Sequence, residues 1–471
     1  MFGLDTGLTL LLILSLIAAC AFEFINGFHD TANAVATVIY THSLKPRIAV
    51  ILSGFLNFVG VYFGGIAVAI GIVNLLPMEA LIDANMAHGI AMIMSLIFTA
   101  IIWNLGTWYL GIPVSSSHTL IGSIFGVGLA FMFLPGSHSV ALNWHKVGEV
   151  GLSLLISPVI GFVFTMLLMY LLKKLIKNKT AFKNPSVNKA PPLWMRSILV
   201  FTSMGVSFSH GSNDGQKGVG LVMMILIGIA PAYFAIDIAK SPAAMVTNIG
   251  NIERNISKID TLALPVANKM QLSQVQTMLD SVKPIISNVS SFKDIPDRKH
   301  FVLRKDIILI SKSIDKLLAF DLENQNKFLS VADAGDLKKE VSTLKTNTEY
   351  APIWVILMIS LSLGVGTMIG WKRIVITIGE RIGKTQMNYA QGAASQLVAA
   401  STISISSMLG LPVSTTHVLS SGVAGSMVAQ DGIKNLQGKT LKNIGLAWVV
   451  TLPVTIVLSG SLFLLLRWII A

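Results

Sequence analysis

Residues Gly111–Gly122 read GIPVSSSHTLIG, a proline, three consecutive hydroxyls and a histidine inside a very apolar part of the chain. A near copy, GLPVSTTHVL, begins at Gly410, 299 positions later. Polar groups surrounded by hydrocarbon must find partners inside the protein or line a cavity. The duplication therefore asks what two hydroxyl-rich segments hold in common.

The surrounding sequence sets the solvent. Its 471 residues are 53% hydrophobic and 12% charged, with mean hydropathy +0.70, whereas soluble domains are roughly 45–50% apolar. The expected class is an all-α integral membrane protein. A net charge of +12 does not imply nucleic acid, because the cationic residues cluster in short loops beside apolar segments. Cys20 is the single cysteine, so no intramolecular disulfide can form. The start, MFGLDTGLTL, lacks the basic region of a cleaved signal and reads as a retained first span.

Segments long enough to cross about 30 Å of hydrocarbon fall near 8–39, 48–75, 88–110, 113–134, 148–172, 196–238, 351–370, 387–410, 412–430 and 443–470. Two of these, 8–39 and 196–238, are too long for one straight crossing, and each carries glycine and polar residues midway, INGFHDTAN and SHGSNDGQKG. Broken helices are the expectation there.

The two interruptions align, Gly27–Asp30 with Gly211–Asp214, at an offset of 184. The hydroxyl motifs have an offset of 299, so the second copy holds an insertion of about 115 residues between its motifs. Segment 239–350 has that length and carries 16 of the 35 Lys+Arg and 13 of the 23 Asp+Glu. The expected organisation is a first transmembrane repeat over 1–172, a basic cytoplasmic linker over 173–195, a second repeat formed by 196–238 with 351–471, and an extramembrane insertion over 239–350. In the insertion, Leu272, Val275, Leu279, Val282 and Ile286, and again Leu303, Ile307, Ile310, Ile314 and Leu317, recur at helical spacing and predict a small bundle.

Orientation follows from short basic loops. Lys45 with Arg47, the seven Lys/Arg of 173–196, and Lys372, Arg373, Arg381 and Lys384 mark the cytoplasmic side, leaving Glu79, Asp83, the insertion and both termini on the periplasmic side. Five passes per repeat is an odd number, so the two repeats are expected to have inverted topology.

Within the first interruption, Asp30 is expected either to cap a half-helix or to ligate a coupling cation, with Asn33 on the same face and Glu23 as a secondary candidate. In the second, Asn213 and Asp214 recur, but Lys217 stands where the first copy has Asn33. A buried lysine needs an anionic partner, and Asp214 or Asp30 could supply it. It then serves as a structural ion pair or as a built-in positive charge replacing a coupling cation, which favours protons over sodium.

Pro113 and Pro412 precede the hydroxyl runs and signal helix starts. Ser115, Ser116 and Ser117 with Ser414, Thr415 and Thr416 would then place neutral donors and free amides of two helix N-termini around one tetrahedral oxyanion. Small hydroxyl residues also permit close helix packing, the competing structural reading. His118 and His417 occupy equivalent positions and either orient the hydroxyls or exchange protons.

These residues resemble the signatures of the inorganic phosphate transporter (Pit) family, which carries two Gly-Ala-Asn-Asp-like motifs and two Pro-Val-Ser-(Ser/Thr)-(Ser/Thr)-His motifs. NGFHDTANAVATVIYT, WNLGTWYLGIPVSSSHTLIG, FSHGSNDGQKGVGLVM, EYAPIW and GLPVSTTHVLSS are similar to the bacterial low-affinity, proton-coupled branch. The resemblance covers nearly the whole chain. It implies phosphate symport in a bacterial inner membrane, the substrate entering with a divalent metal as a neutral complex, H+ as coupling ion and no resident cofactor or metal. It assigns Asp30, Asn33, Asn213 and Asp214 to ions and the six hydroxyl residues to phosphate. His29, where the family motif has asparagine, and Gln216-Lys217 depart from the pattern and disfavour a sodium site.

Sodium-coupled phosphate or sulfate symport is the nearest alternative. A membrane hydrolase using Ser115 and His118 and a passive anion channel are more distant ones. No GxxxxGK[ST] loop is present, so ATP is not expected to drive transport. The partners expected are phosphate and the lipid bilayer, with a homodimer as one arrangement of the chain.

Overall fold

The computed structural model describes residues 2–76, 86–134, 142, 144–185, 190–262, 264–325, 327–369, 372–380 and 382–470. Among them the regular structure is helical, with one isolated antiparallel bridge between Gly383 and Leu436. The loop acids Glu79 and Asp83, and Arg381, lie outside the described residues. The chain forms two compact units, one of Leu10–Ile225 with Ala351 onward, the other of the residues up to Thr9 with Leu226–Tyr350.

Helices run in the order α1 (Thr6–Tyr40), α2 (Pro46–Phe63), α3 (Ala67–Val73), α4 (Met86–Tyr109), α5 (Ser116–Met132), α6 (Trp144–Leu175), α7 (Leu193–His210), a π-helical turn (Gly211–Gly215) and α8 (Gln216–Ile229). After α8 come α9 (Pro231–Phe234), α10 (Pro242–Ile256), α11 (Val266–Ile286), α12 (Asp297–Glu323) and α13 (Val331–Lys345). The last stretch holds α14 (Ile353–Thr367), α15 (Lys372–Glu380), α16 (Tyr389–Met408), α17 (Thr415–Asp431) and α18 (Gly438–Ile470).

Among the described residues, five helices are long and apolar enough to cross a membrane: α1, α2, His88–Tyr109 of α4, α6 and α18; α5 and α14 are shorter apolar helices. This is a multi-pass membrane protein. The ten expected spans are not matched one for one, because several helices in the bundle carry polar side chains that bond one another rather than lipid. Thr202 of α7 donates to Gln396 Oε1 of α16 (2.8 Å), and Gln396 Nε2 donates to the Ala34 carbonyl (2.9 Å). Segment 48–75 is also two helices, parted around Gly65, which adopts φ +80°.

The expected breaks are corrected by the structure. INGFHDTAN does not interrupt α1, and Asp30 therefore caps nothing. Gly27 serves packing instead: a Cβ there would lie 2.5 Å from the Leu363 carbonyl oxygen of α14. Thr31 Oγ1 donates back to the Gly27 carbonyl (2.6 Å). The polar side chains pair laterally, so the backbone ladder stays whole. In the second copy the disturbance is a single π turn, the kind of bulge that concentrates at functional sites.

Two close backbone contacts involve carbonyls spaced at the first repeat offset. A Cβ on Gly60 of α2 would lie 2.2 Å from the Phe208 carbonyl, and one on Gly366 of α14 2.1 Å from the Phe24 carbonyl, Phe24 and Phe208 being 184 positions apart. Glycine at both places lets helices pack with no side chain between them. Likewise Gly111 and Gly410, 299 apart, adopt φ +68° and +67° and turn the chain into α5 and α17.

In the second unit, Leu272, Val275, Leu279, Val282 and Ile286 of α11 and Leu303, Ile307, Ile310, Ile314 and Leu317 of α12 meet in one core with Ile249, Ile252 and Val341. The neck of this unit is tied from within. Arg304, 1% exposed, donates from Nη1 to the carbonyls of Ala235 (2.9 Å) and Thr348 (2.7 Å), and Tyr350 Oη donates to the Ile236 carbonyl (3.2 Å). Burial pushes the Arg304 guanidinium down to about 10, which leaves it cationic at neutral pH.

Arg304→Met should leave both carbonyls without donors, at about 1–3 kcal/mol each. Hydrogen exchange at 233–237 and 347–350 should then speed up in the full-length protein, with the α11–α12 core remaining protected.

Candidate functional site

The proline-led segments begin helices as expected. Ser115 is the N-cap of α5 and accepts from the His118 amide (3.2 Å), and Ser414 caps α17 and accepts from the His417 amide (3.1 Å). One hydroxyl of each run thus satisfies the backbone of its own helix. The next two face outward from the tip, toward α1 and the π turn.

They meet carboxylates. Ser116 Oγ donates to Asp30 Oδ2 (3.1 Å) and Thr415 Oγ1 to Asp214 Oδ2 (3.1 Å), the same pairing in each copy. The third hydroxyls cross over: Asn33 Nδ2 donates to Thr416 Oγ1 (3.1 Å), while Lys217 Nζ, which replaces that asparagine, donates to Ser117 Oγ. Thr416 Oγ1 in turn donates to Asp30 Oδ1 (2.8 Å), so one carboxylate is held by hydroxyls from both helix tips. Ser117 Oγ donates to the Val413 carbonyl (2.8 Å), which joins the α5 tip to the segment leading into α17.

The anionic partner of Lys217 is Asp214, and its Nζ also donates to the Val413 carbonyl (3.1 Å). Both charges are buried, where a lone ion would cost several kcal/mol. Asn213 bonds α16 and the α17 approach, donating to Ser407 Oγ (3.1 Å) and accepting from the Val413 amide (3.2 Å). His29 Nδ1 lies 3.2 Å from Asp30 Oδ1.

Asp30, Asn33, Asp214, Lys217, Ser116, Ser117, Thr415 and Thr416 are thus bonded to one another around the two tips, while Ser115 and Ser414 cap their own helices and Asn213 secures the approach to α17. His118 and His417 do not orient the hydroxyls with their rings; the two rings pack against each other with centroids 4.5 Å apart, and His417 stacks on Trp448 at 3.9 Å. Ser115 takes its bond from the His118 amide, and His118 Nδ1 is buried without a hydrogen-bond partner, so no serine–imidazole pair of the kind a nucleophile needs is formed. Glu23 is buried on α1 two turns before Asp30, against Gly218 of α8.

Sequence reasoning missed His210. Its Nε2 lies 3.2 Å from Asp214 Oδ2 and 3.6 Å from Asp30 Oδ2, bridging the two motif copies, and its Nδ1 lies 3.0 Å from Asn57 Oδ1. Asp30, His210 and Asp214 each offer a ligand atom within 4.8 Å of the others, a set that could hold a cation. The signal available was a histidine four residues before an intramembrane aspartate, on the same helix face. Its counterpart in the first copy is Asn26, so a comparison of repeats did not flag it as shared chemistry.

The phosphate transporter family matches residues 26–459. This chain belongs to that family. Family members similar to it include the low-affinity inorganic phosphate transporter PitA of Escherichia coli strain K12, 42% identical over 98% of this chain and 97% of the relative. A low-affinity inorganic phosphate transporter of Buchnera aphidicola subsp. Acyrthosiphon pisum is 43% identical, with the same shares covered. A solved structure titled "The sodium-dependent phosphate transporter" superposes with TM-score 0.54 at 20% identity, over 98% of this chain and 99% of that one, which establishes the shared helical fold. The family's members are transporters, and the chain is not an enzyme.

Ser116→Ala and Thr416→Val each remove one hydroxyl donor from the buried Asp30 carboxylate, at an expected 1.5–3 kcal/mol or about that for a charge-assisted bond. Thermal unfolding in detergent should show both losses, and the double variant should depart from their sum because they share one acceptor.

Proposed function

We propose that this chain imports inorganic phosphate across a bacterial inner membrane by proton symport with alternating access. The observation that carries the reading is the duplicated tip-to-carboxylate geometry: Ser116 on Asp30, Thr415 on Asp214, and Thr416 closing on Asp30 from the opposite tip. The names of the relatives support phosphate as the transported anion. Ser115, Ser116, Ser117, Ser414, Thr415 and Thr416 would release their protein partners to a tetrahedral oxyanion. Neutral hydroxyls and helix N-termini hold such an anion without the tight grip of clustered guanidiniums.

In this reading the two repeats are inverted and the glycine contacts repeated at Gly60 and Gly366 belong to equivalent helix pairs. The basic short loops support a cytoplasmic linker, with both termini and the insertion on the periplasmic side. Lys217, already paired with Asp214, supplies a fixed positive charge where the first copy has Asn33. A site so equipped needs no sodium ion at that carboxylate, which supports coupling to protons.

A divalent cation travelling with the phosphate is favoured by one arrangement, the Asp30–His210–Asp214 set beside the hydroxyls. Two carboxylates and an imidazole suit a first-row divalent ion. The metal would then be cargo, neutralising phosphate before it is dehydrated.

Uptake of labelled phosphate into proteoliposomes tests the coupling. The wild-type protein should accumulate phosphate on an inward proton gradient and ignore a sodium gradient; sodium dependence alone would overturn proton symport. Lys217→Asn leaves Asp214 buried without its cation, a loss of about 3–5 kcal/mol, and should abolish proton-driven accumulation in sodium-free buffer. Under the cargo reading, chelating divalent ions should depress phosphate uptake, and labelled metal should enter in step with phosphate; metal-independent uptake would remove that reading and leave the first intact.

A further inference from the structure

The polar core contains a third carboxyl group that the hydroxyl tips do not touch. Glu23 is fully buried in the middle of α1. Asn26 Nδ2 donates to its Oε2 (3.2 Å), while Glu23 Oε1 and Asn26 Oδ1 are both buried without a hydrogen-bond partner. The pair is thus one donor short, and two neighbouring acceptors share that deficit. A proton on Glu23 is the donor that would correct it.

The slot is shaped for this head group. A Cβ on Gly218 would lie 2.4 Å from Glu23 Cγ and 2.5 Å from its Oε1, so the carboxyl rests against the α8 backbone directly after Lys217. Asp214, Lys217 and His210 act on it electrostatically from the second motif, and Cys20 lies in range on α1 itself. Lys217 is committed to Asp214, Ser117 and Val413 and makes no bond to Glu23. A carboxylate left there would be an unpaired charge in a water-excluded bundle. The same carboxyl with a proton attached is neutral.

We propose that Glu23 carries the coupling proton. It takes one proton on Oε1 from the outward-facing side, crosses the cycle as a neutral carboxylic acid, and returns to a carboxylate by releasing that proton to the cytoplasm, one proton for each phosphate moved. Displacement of α8, which bears Lys217 and continues the π turn that bears Asp214, changes what faces Glu23 through the Gly218 contact. This links proton release to movement of the anion site. The proposal rests on proton symport, and its test separates the two.

Glu23→Gln keeps the shape and removes the titration. In proteoliposomes, accumulation driven by a proton gradient should fall at least about tenfold, while phosphate–phosphate exchange at equal pH falls far less, as expected when a coupling term and not the carrier is lost. Glu23→Asp should restore part of the gradient-driven accumulation. In pH-difference infrared spectra of the detergent-purified protein, wild type should show a protonated-carboxyl band that Glu23→Gln lacks, a readout that does not require transport. Gradient-driven accumulation by Glu23→Gln at the wild-type level, equal loss of exchange and accumulation in both variants, or an unchanged infrared band would each overturn the assignment while leaving proton symport standing. Failure of the wild-type protein itself to accumulate phosphate on a proton gradient would overturn both.

Discussion

The membrane unit is organised around one buried carboxylate. Asp30 accepts from Ser116 on one helix tip and from Thr416 on the other, so the ends of α5 and α17 are joined through an atom group on a third helix. At 3% exposure within a membrane bundle, that acceptor is expensive to leave unpaired. The position of the two tips therefore follows from hydrogen-bond accounting as much as from apolar packing. Asn33, Ser117 and the Val413 carbonyl extend the same network around the tips.

The two motif copies are alike in scaffold and unlike in charge. Hydroxyl, aspartate and capping serine recur at fixed offsets, but Asn33 answers to Lys217, His29 to Asn213, Asn26 to His210, and Glu23 to Ser207. The first copy contributes two acids and a histidine; the second contributes one acid, a histidine and a lysine. Under the proposed function, a symmetrical cradle for a symmetrical anion would be combined with an unsymmetrical electrostatic field, and that asymmetry would give the proposed cycle a place to couple charge to direction.

Much of this was legible because a rare pattern occurs twice. Apolar length, charge-poor segments and the doubled Pro-Val-Ser motif point to a helical membrane transporter, and Asp30, Asp214 and the second and third hydroxyl of each run do meet in one network. What the sequence hid depends on packing. Glycine beside polar residues signalled broken helices, yet Gly27 and Gly211 admit the backbone of a neighbouring helix, and the polar groups pair sideways. His210, at the end of α7, and Asp214, in the π turn that follows, gain meaning only when Asp30 of α1 arrives opposite them. The ring contact of His118 with His417 is likewise a product of how the tips approach.

The glycine seams at Gly60 with Phe208 and at Gly366 with Phe24 have a mechanical consequence. Main chain resting directly on main chain is nearly incompressible, since no rotamer is available to yield. Each seam fuses its helices into a stiff strut. Any change of shape in this bundle must then take place by slippage along surfaces where side chains intervene, and the struts would transmit that displacement undiminished from one end of the bundle to the other.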